Sequence, residues 1–455
     1  MEILKPKLEA LLGADNVKLG EEAKALAYSP WTRLGDPAAV VRPGSTREVA
    51  DVLALASAED ISVTPWGGKT GLVDGARAEG GLALSLDRMR QVESIDKAAC
   101  TMTVQAGCVV EEACRAADAE GLFLPLDLGS RGSATIGGVV STNAGGNRVL
   151  RYGMMREMVL GLEVVLADGT VIDALNHLIK NNAGYDLKQL FIGSEGTLGV
   201  VTRAVLRLRP KPASQNTALL GVDRFAALGP LLRRLEAELA GQLSAFEVMW
   251  PRFYELVTTA PATGRPILPH GQAYYVLVET MGSDPEGDTE RFETVLAAAI
   301  EAGLAVDAAV AKSGAERDRM WALRDDVSQT ARDGPIVAFD VSLPIEAMES
   351  YVEDTDAALR ERWPAATLTV FGHLGDGNLH VIAGVGDSRA RHEVEEVVYG
   401  LLRERGGSIS AEHGIGLQKR EFLSYSRSPE EIALMRRLKT ALDPHNVLNP
   451  GKVLT

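Results

Sequence analysis

The sequence has little cysteine, no long apolar run and no cluster of basic residues. Its three cysteines, Cys100, Cys108 and Cys114, form no C-x-x-C pair, which predicts reduced thiols buried as small hydrophobic side chains. No run reaches the roughly 18 apolar residues of a membrane-spanning helix. Acidic residues outnumber basic ones by 62 to 47, and a net charge of −15 disfavours a nucleic-acid partner. The N-terminal segment has charges throughout, unlike a signal peptide, so we expect a cytoplasmic protein.

Local patterns divide the 455 residues into regions of different character. Residues 1–18 and 45–60 have the apolar period of helices, with Ser45 as an N-cap, and Val159–Ile172 is typical of a hairpin. Long helical patterns follow at Asp223–Ala240, Asp288–Ala302, Ala315–Arg332 and Pro344–Arg362. A last helix begins at Ser428 with a capping box to Glu431. These patterns predict an α+β fold with a first domain over 1–212, a second over 213–427 and a C-terminal segment over 428–455.

Three glycine clusters lie in the first half of the chain, at residues 65–71, 130–146 and 192–199. Glycine allows close backbone approach, and exposed backbone N–H groups suit a pyrophosphate. The first cluster ends like a Walker A loop, but Val63 stands where that motif needs its first glycine. No G-x-G-x-x-G opens a helix after a strand, so a Rossmann fold is not indicated. Tight turns are the alternative interpretation of any single cluster.

The clusters PWGGKTGL, GSATIGGVVSTNAGGNRVLRYG and IGSEGTLGVVT together resemble the FAD-binding domain of the vanillyl-alcohol-oxidase (PCMH) type. The resemblance implies a two-domain fold with an α+β substrate (cap) domain, and FAD held without a covalent bond because the first cluster has no histidine. The residues that it implies at the cofactor are Gly67, Gly68, Lys69, Thr70, Gly71, Leu72, Asp127, Gly137, Gly138, Asn143, Glu195, Val200 and Asn449.

Two histidines, His373 and His380, lie seven residues apart in GHLGDGNLH, and a third, His413, follows Glu412 in SAEHGIG. Two imidazoles and one carboxylate fit catalytic zinc and also non-haem iron. Taken alone, the histidine pair fits a turn between two strands better than a metal site. Glu412 and His413 can share a site only where the backbone bends, because consecutive strand residues face opposite sides.

Both motifs are similar to those of FAD-linked D-2-hydroxy-acid dehydrogenases, in the branch that acts on D-2-hydroxyglutarate and D-lactate. The resemblance covers nearly the whole chain. It implies that His373, His380 and Glu412 bind a divalent metal, zinc by preference with manganese or iron as alternatives. It also implies that His413 contacts the substrate and is the base.

Arg324, in the sequence WALR, is the candidate for holding a substrate carboxylate. Ser328 lies four residues later in the same predicted helix, so we expect it to share the face of Arg324 and to contact the substrate with it. Alone, an arginine in an Asp-rich helix is more often a solvated ion pair, but the same resemblance places a substrate-binding arginine here. D-2-hydroxyglutarate-specific relatives tend to have Lys and Asn where this chain has Ala338 and Ile382.

We therefore expect an enzyme that oxidises a D-2-hydroxy acid to a 2-oxo acid with metal assistance, transferring the hydride to flavin N5. D-2-hydroxyglutarate or D-malate is the favoured substrate, and D-lactate or another monocarboxylate is the alternative. A metal-free alcohol or sugar oxidase and a non-catalytic flavoprotein subunit are rival hypotheses. The electrons would leave to an electron-transfer flavoprotein, a quinone or a similar acceptor, and a homodimer is left open.

Overall fold

The computed structural model describes residues 4–455, in which short helices and strands alternate before longer elements begin. The α-helices are α1 (Lys5–Leu12), α2 (Gly20–Leu26), α3 (Thr46–Ala58), α4 (Val110–Ala119), α5 (Ile136–Ser141), α6 (Val149–Tyr152), α7 (Met155–Met158), α8 (Lys188–Phe191), α9 (Leu228–Glu238), α10 (Pro251–Thr258), α11 (Pro285–Glu301), α12 (Gly314–Asp325), α13 (Ile345–Arg362), α14 (Arg391–Glu404) and α15 (Pro429–Leu442). The strands are β1 (Val17–Leu19), β2 (Ala39–Val41), β3 (Val63–Trp66), β4 (Leu82–Ser85), β5 (Val92–Asp96), β6 (Thr101–Gln105), β7 (Leu122–Phe123), β8 (Val159–Val165), β9 (Val171–Ala174), β10 (Val200–Arg207), β11 (Arg209–Pro210), β12 (Ser214–Val222), β13 (Leu243–Met249), β14 (Tyr274–Gly282), β15 (Asp307–Val310), β16 (Ile336–Ser342), β17 (Thr367–Gly372) and β18 (Asn378–Gly384).

The first compact unit comprises the chain up to Gly146, residues 153–211 and residues 412–455. Its sheets are a four-stranded sheet of order β1-β2-β4-β3, a five-stranded sheet of order β5-β6-β10-β8-β9 and a β11-β7 pair. The β2, β4 and β3 strands run parallel, and the five-stranded sheet is antiparallel. Trp66 at the end of β3 is 1% exposed and belongs to an apolar cluster with Val40 and Ala83. A buried strand end thus leads directly into the first glycine cluster.

The second unit comprises residues 147–152 and 212–411. Its seven-stranded antiparallel sheet has the order β15-β12-β14-β13-β17-β18-β16. Buried aromatic side chains of α10 and the sheet form its core, among them Phe253, Tyr254, Tyr275 and Phe371. The chain leaves this unit after Ala411, whereas the sequence patterns place the second boundary at 427/428.

Several local predictions are confirmed. Ser45 caps α3 by accepting a hydrogen bond from the Glu48 N–H, and the capping box of Ser428 and Glu431 begins α15. Residues 159–174 form the β8–β9 hairpin. The mixture of helix and sheet confirms the predicted α+β fold class.

Two helix predictions are wrong in extent. The N-terminal helix ends at Leu12, because Gly13 has φ +80° and the chain continues into β1; residues 1–3 of the predicted helix lie outside the described residues. The pattern over Ala315–Arg332 is broken after Asp325. The Asp326 carboxylate accepts hydrogen bonds from Ser328 Oγ and Gln329 Nε2, and such local bonds compete with a continuous helix. Residues 327–331 form a separate 3₁₀ helix.

The three cysteines are free thiols, but only Cys108 is buried; Cys100 and Cys114 are partly exposed. Burial raises the pKa of Cys108 to about 11. Over residues 4–455, no helix combines the length and the apolar character needed to cross a membrane.

Candidate active site

The first glycine cluster packs against the backbone that precedes α5. A Cβ atom at Gly68 would lie 2.0 Å from the Ser133 carbonyl oxygen, and one at Gly67 would lie 2.5 Å from Thr135 Oγ1. Only glycine fits at these two positions, so two of the three sequence clusters meet within the first unit. At Gly71, by contrast, a Cβ would meet no atom of residues 4–455 within 4 Å.

Lys69 lies in this loop with φ +56°, and its side chain is turned toward the protein. Its Nζ donates to the Leu26 carbonyl at 2.9 Å, and Ser29 Oγ donates to the Lys69 carbonyl at 2.7 Å. Burial lowers the pKa of Lys69. These contacts fix the conformation of the loop, while Thr70 and Leu72 beyond it are at least partly open to solvent.

The second cluster contains a buried hydroxyl without a partner. Thr135 is only 7% exposed, and its buried Oγ1 has no hydrogen-bond partner among the described residues. Gly137 lies in α5, where a Cβ would be 2.7 Å from the Ala106 Cβ; at Gly138 the nearest atom is Thr135 Oγ1, at 3.3 Å. Close backbone packing next to an unsatisfied hydroxyl is the arrangement expected of a cradle for a polar ligand.

Asn143 and Asn449 both have left-handed backbone conformations. Asn143 Oδ1 accepts from the Arg156 N–H at 2.9 Å. Asn449 Nδ2 donates to the Gly75 and Glu195 carbonyl oxygens at 3.0 and 2.7 Å, whereas its buried Oδ1 has no partner in the part of the chain that is described. Among the described residues of this unit, the buried oxygens Thr135 Oγ1 and Asn449 Oδ1 therefore have no hydrogen-bond partner. Such oxygens fit a site for a cofactor rich in polar groups.

Glu195 joins the third glycine cluster to the segment after His413. Its carboxylate oxygens accept hydrogen bonds from the N–H groups of Ile415 at 2.7 Å and Gly416 at 2.8 Å. A Cβ at Gly414, which has φ +81°, would lie 2.8 Å from this carboxylate. Burial raises the pKa of Glu195, although the two N–H groups oppose that shift. The Glu195 carboxylate thus holds two backbone N–H groups of the protein itself. Its predicted contact with FAD stays a prediction.

The remaining two residues of the predicted cofactor set lie in the first unit as well. The Asp127 carboxylate accepts a hydrogen bond from Arg131 at 2.6 Å, and its carbonyl oxygen would be 2.1 Å from a Cβ at Gly146. Val200 is the first residue of β10 and is 1% exposed. Both are parts of the packed frame around the glycine clusters.

In the second unit, the turn between β17 and β18 brings His373 and His380 together. Their ring centroids are 5.4 Å apart, and each offers a ligand nitrogen within 4.8 Å of the other. Gly377, with φ +85°, allows the reversal of the chain between them. The strand-to-strand turn is present, and it places both imidazoles close enough to share one ion.

A buried carboxylate connects one of these histidines with Arg324. Glu247 Oε1 lies 2.8 Å from His373 Nδ1, and Glu247 Oε2 accepts from Arg324 Nε at 2.8 Å. Arg324 Nη2 lies 3.2 Å from His373 Nε2, and its guanidinium lies over the Phe371 ring at 4.9 Å. Burial alone would raise the pKa of Glu247, but its partners His373 and Arg324 outweigh burial and lower that pKa.

His380 has its own carboxylate neighbour. Its Nδ1 is 4.0 Å from Asp340 Oδ1, which also accepts a hydrogen bond from Asn378 at 2.8 Å. The other oxygen of Asp340 accepts from the Ala411 N–H at 3.1 Å. Because Glu412 follows Ala411, Asp340 fixes the chain one residue before this candidate ligand. Residues 411–413 form a bend and not a strand, so strand alternation does not separate Glu412 from His413; Gly414 and Gly416 follow with positive φ.

Ser328 is placed differently from the sequence prediction. Because α12 ends at Asp325, Ser328 lies in the following 3₁₀ helix and is exposed, and its Oγ donates to Asp326 at 2.7 Å. It therefore does not share a helical face with Arg324. Sequence reasoning missed Glu247, whose one signal is a lone charge in the otherwise uncharged strand LSAFEVM.

Comparisons with known proteins identify the family and the two domains of the chain. Residues 37–175 match the family model of the FAD binding domain, and residues 211–453 match that of the FAD-linked oxidases, C-terminal domain. The D-2-hydroxyglutarate dehydrogenase of Bos taurus mitochondria is 42% identical over 93% of this chain and 78% of its own. A Xanthomonas citri D-2-hydroxyglutarate dehydrogenase is 40% identical over 93% and 91%. Among solved structures, p-cresol methylhydroxylase has a TM-score of 0.79 with 17% identity, over 99% of this chain and 96% of its own.

The chain therefore belongs to the FAD-linked oxidase family, in the group that contains the D-2-hydroxyglutarate dehydrogenases. This confirms the predicted FAD-dependent oxidoreductase and the two-domain fold of the vanillyl-alcohol-oxidase type. The prediction of a cytoplasmic protein is wrong, because relatives from Bos taurus, Rattus norvegicus and Arabidopsis thaliana are named as mitochondrial enzymes.

Proposed function

We propose that this protein oxidises D-2-hydroxyglutarate to the 2-oxo acid, with FAD and a divalent metal. The observation that carries the proposal is the meeting of a histidine pair with a buried arginine: His373 contacts both His380 and Arg324. The dehydrogenases at about 40% identity are named for D-2-hydroxyglutarate, which supports this substrate. D-malate, a shorter dicarboxylate, is included in the proposal.

FAD would lie against the glycine clusters of the first unit. Gly67 and Gly68 let the loop pack directly on Ser133 and Thr135. Of the two unpartnered oxygens, Thr135 Oγ1 would donate or accept a hydrogen bond with FAD, and Asn449 Oδ1 would accept one. The chemistry that bound FAD supplies is acceptance of a hydride. The loop PWGGKTGL contains no histidine, so we expect acid or heat to release the flavin intact; flavin that stays with the denatured chain would contradict this.

A divalent metal, zinc by preference, would be held by His373, His380 and Glu412. The donor set fits because Glu247 at Nδ1 of His373 directs the lone pair to Nε2, where an ion would replace the contact with Arg324 Nη2. Two imidazoles and one carboxylate match a catalytic zinc site with open positions. The chemistry that such an ion supplies is Lewis-acid polarisation of the substrate's hydroxyl group.

His413 would take the proton of the substrate's hydroxyl group as the hydride leaves C2, which balances the conversion of the alcohol to the ketone. Arg324 would orient a carboxylate through its planar pair of donors. The electron acceptor would be an electron-transfer flavoprotein, a quinone or a similar carrier, and a homodimer remains part of the proposal.

The second carboxylate of the substrate needs a cation, and one lies on the correct face of the sheet. Thr369, Ile382 and Ala338 form one cross-strand row, on the same face as His380. Arg252 reaches this row from α10, because its Nε donates to Thr369 Oγ1 at 3.1 Å; its Nη2 also contacts Asp333. Arg252 would exchange its ion pair with Asp333 for the second carboxylate and so take the part of the lysine that Ala338 replaces in the D-2-hydroxyglutarate-specific pattern.

D-lactate is the second candidate substrate, favoured by the buried apolar Ile382 in the same row. A Schizosaccharomyces pombe relative, 37% identical over 90% of this chain and 81% of its own, is named a putative D-lactate dehydrogenase. Anaerobic flavin bleaching by D-2-hydroxyglutarate, D-malate and D-lactate tests both candidates. We expect the dicarboxylates to be faster, and a clear preference for D-lactate would overturn this choice.

A further inference from the structure

Glu247 is a carboxylate in the interior of the second unit. All seven residues of its strand β13 are buried, and Glu247 itself is 1% exposed. A buried carboxylate without partners is strongly destabilising, so each of its oxygens needs a donor. The partners of its two oxygens are the proposed metal ligand His373 and the proposed substrate anchor Arg324.

The contact with His373 determines which ring nitrogen carries the proton. A carboxylate 2.8 Å from Nδ1 favours the tautomer with the proton on Nδ1, because the carboxylate can only accept. The lone pair then lies on Nε2, which is 3.2 Å from Arg324 Nη2 and would bind a metal in place of that contact. Carboxylate partners of this kind orient metal-binding histidines and raise their basicity.

The contact with Arg324 fixes the guanidinium plane. Nε is held at 2.8 Å by Glu247, and the plane lies over the Phe371 ring. The Nε donor is directed by Glu247 whether or not a metal occupies His373, so Arg324 loses little further freedom when it holds a substrate. The Glu247 carboxylate thereby orients both the proposed metal ligand His373 and the proposed substrate anchor Arg324.

We propose that Glu247 is a positioning residue that couples the metal ligand His373 to the substrate anchor Arg324. This inference rests on the proposed function. Removing its charge should weaken metal binding and substrate binding together, although Glu247 touches neither. A purely structural role would lower stability and leave the affinity for the metal unchanged.

Glu279 is the matched control on the neighbouring strand β14. It is 0% exposed, and its carboxylate accepts from Arg148, Trp321, Gln215 and Ser244 at 2.6 to 3.0 Å. None of these four residues is a proposed metal ligand or substrate anchor. Glu279→Gln therefore tests the general cost of neutralising a buried glutamate in this sheet.

The experiment measures Zn²⁺ affinity of the FAD-loaded protein by competition with a colorimetric chelator, together with KM for D-2-hydroxyglutarate. We expect Glu247→Gln to weaken Zn²⁺ binding about 10- to 100-fold, the usual effect of removing such a partner. KM at saturating Zn²⁺ should rise as well. Glu247→Asp, which keeps the charge, should recover part of both losses. Glu279→Gln should keep the Zn²⁺ affinity of the wild type whatever its melting temperature.

Unchanged Zn²⁺ affinity in Glu247→Gln overturns the inference while leaving the proposed function intact, provided that the wild type binds Zn²⁺. A wild-type protein that turns over without any Zn²⁺ would instead contradict the proposed metal site itself, and this inference with it. If Glu247→Gln does not fold, Glu247→Asp decides: wild-type Zn²⁺ affinity and KM in that variant overturn the inference, and a combined loss supports it.

Discussion

The glycine clusters of the first unit would hold their proposed ligand mainly with backbone groups. The turn from His373 to His380 in the second unit, here called the histidine turn, would hold its proposed ligands with side chains. The glycine clusters offer backbone and a few neutral oxygens, held in place by close packing at Gly67 and Gly68. The histidine turn offers charged and ionisable side chains, held by the buried carboxylates Glu247 and Asp340. The difference shows that a site made of backbone depends on steric fit, whereas a site made of side chains depends on buried charge.

The largest expected effect tests whether ionisable side chains carry the chemistry. His413→Ala should lower the rate of flavin reduction about 10²- to 10⁴-fold, because a positioned base is lost. The variant should keep its FAD and its Zn²⁺, in contrast to Glu412→Ala, which should lose Zn²⁺. Stopped-flow flavin absorbance measures the rate. A His413→Ala variant that reduces its flavin at the wild-type rate would contradict the assignment.

The choice between dicarboxylate and monocarboxylate substrates is a second test of the charged side chains in the second unit. Arg252→Ala should lower kcat/KM for D-2-hydroxyglutarate about 10- to 100-fold, the value of one charged hydrogen bond. D-lactate serves as the internal control, because it has no second carboxylate and its turnover should be unaffected. Equal losses with both substrates would show that Arg252 supports the fold and not the selectivity.

The steric fit of the glycine clusters is tested by adding one methyl group at Gly68. Gly68→Ala would place a Cβ against the Ser133 carbonyl and should weaken FAD binding about 10- to 100-fold, as overpacking does. Gly71→Ala is the matched control in the same loop, since a Cβ has open space there. The measurement is flavin fluorescence on reconstitution of the apoprotein. Equal FAD affinity in the two variants would argue against a steric cradle.

Glu195 gives the smallest and most specific test. Its pKa is raised by burial, so the native state favours the protonated form more than the unfolded state does. The stability that Glu195 contributes is therefore greatest at low pH and is lost as the pH rises through its folded-state pKa. The melting temperature of the wild-type holoprotein, relative to Glu195→Gln, should increase as the pH falls through the folded-state pKa of Glu195. A difference that moves in the opposite direction would mean that ionised Glu195 stabilises the fold.

The sequence predicted those parts of the molecule that depend on neighbouring residues. Ser428 and Glu431 are three residues apart, and their capping box needs no tertiary contact. The glycine clusters carry the backbone freedom that their turns need. Glu247 and His373 are 126 positions apart, so only the order of strands in the sheet brings them together. Ser328 was misplaced because the side-chain bonds of Asp326 overrode a helical pattern that continued beyond it.

The segment 147–152 has a consequence for how the chain acquires its structure. It belongs to the second unit, and its Arg148 donates to the fully buried Glu279, 131 positions later. During synthesis, this short segment emerges long before strand β14 exists to receive it. A separately expressed fragment of residues 212–411 would contain Glu279 without this cation, so it should fold poorly unless a peptide that contains residues 147–152 is supplied in trans.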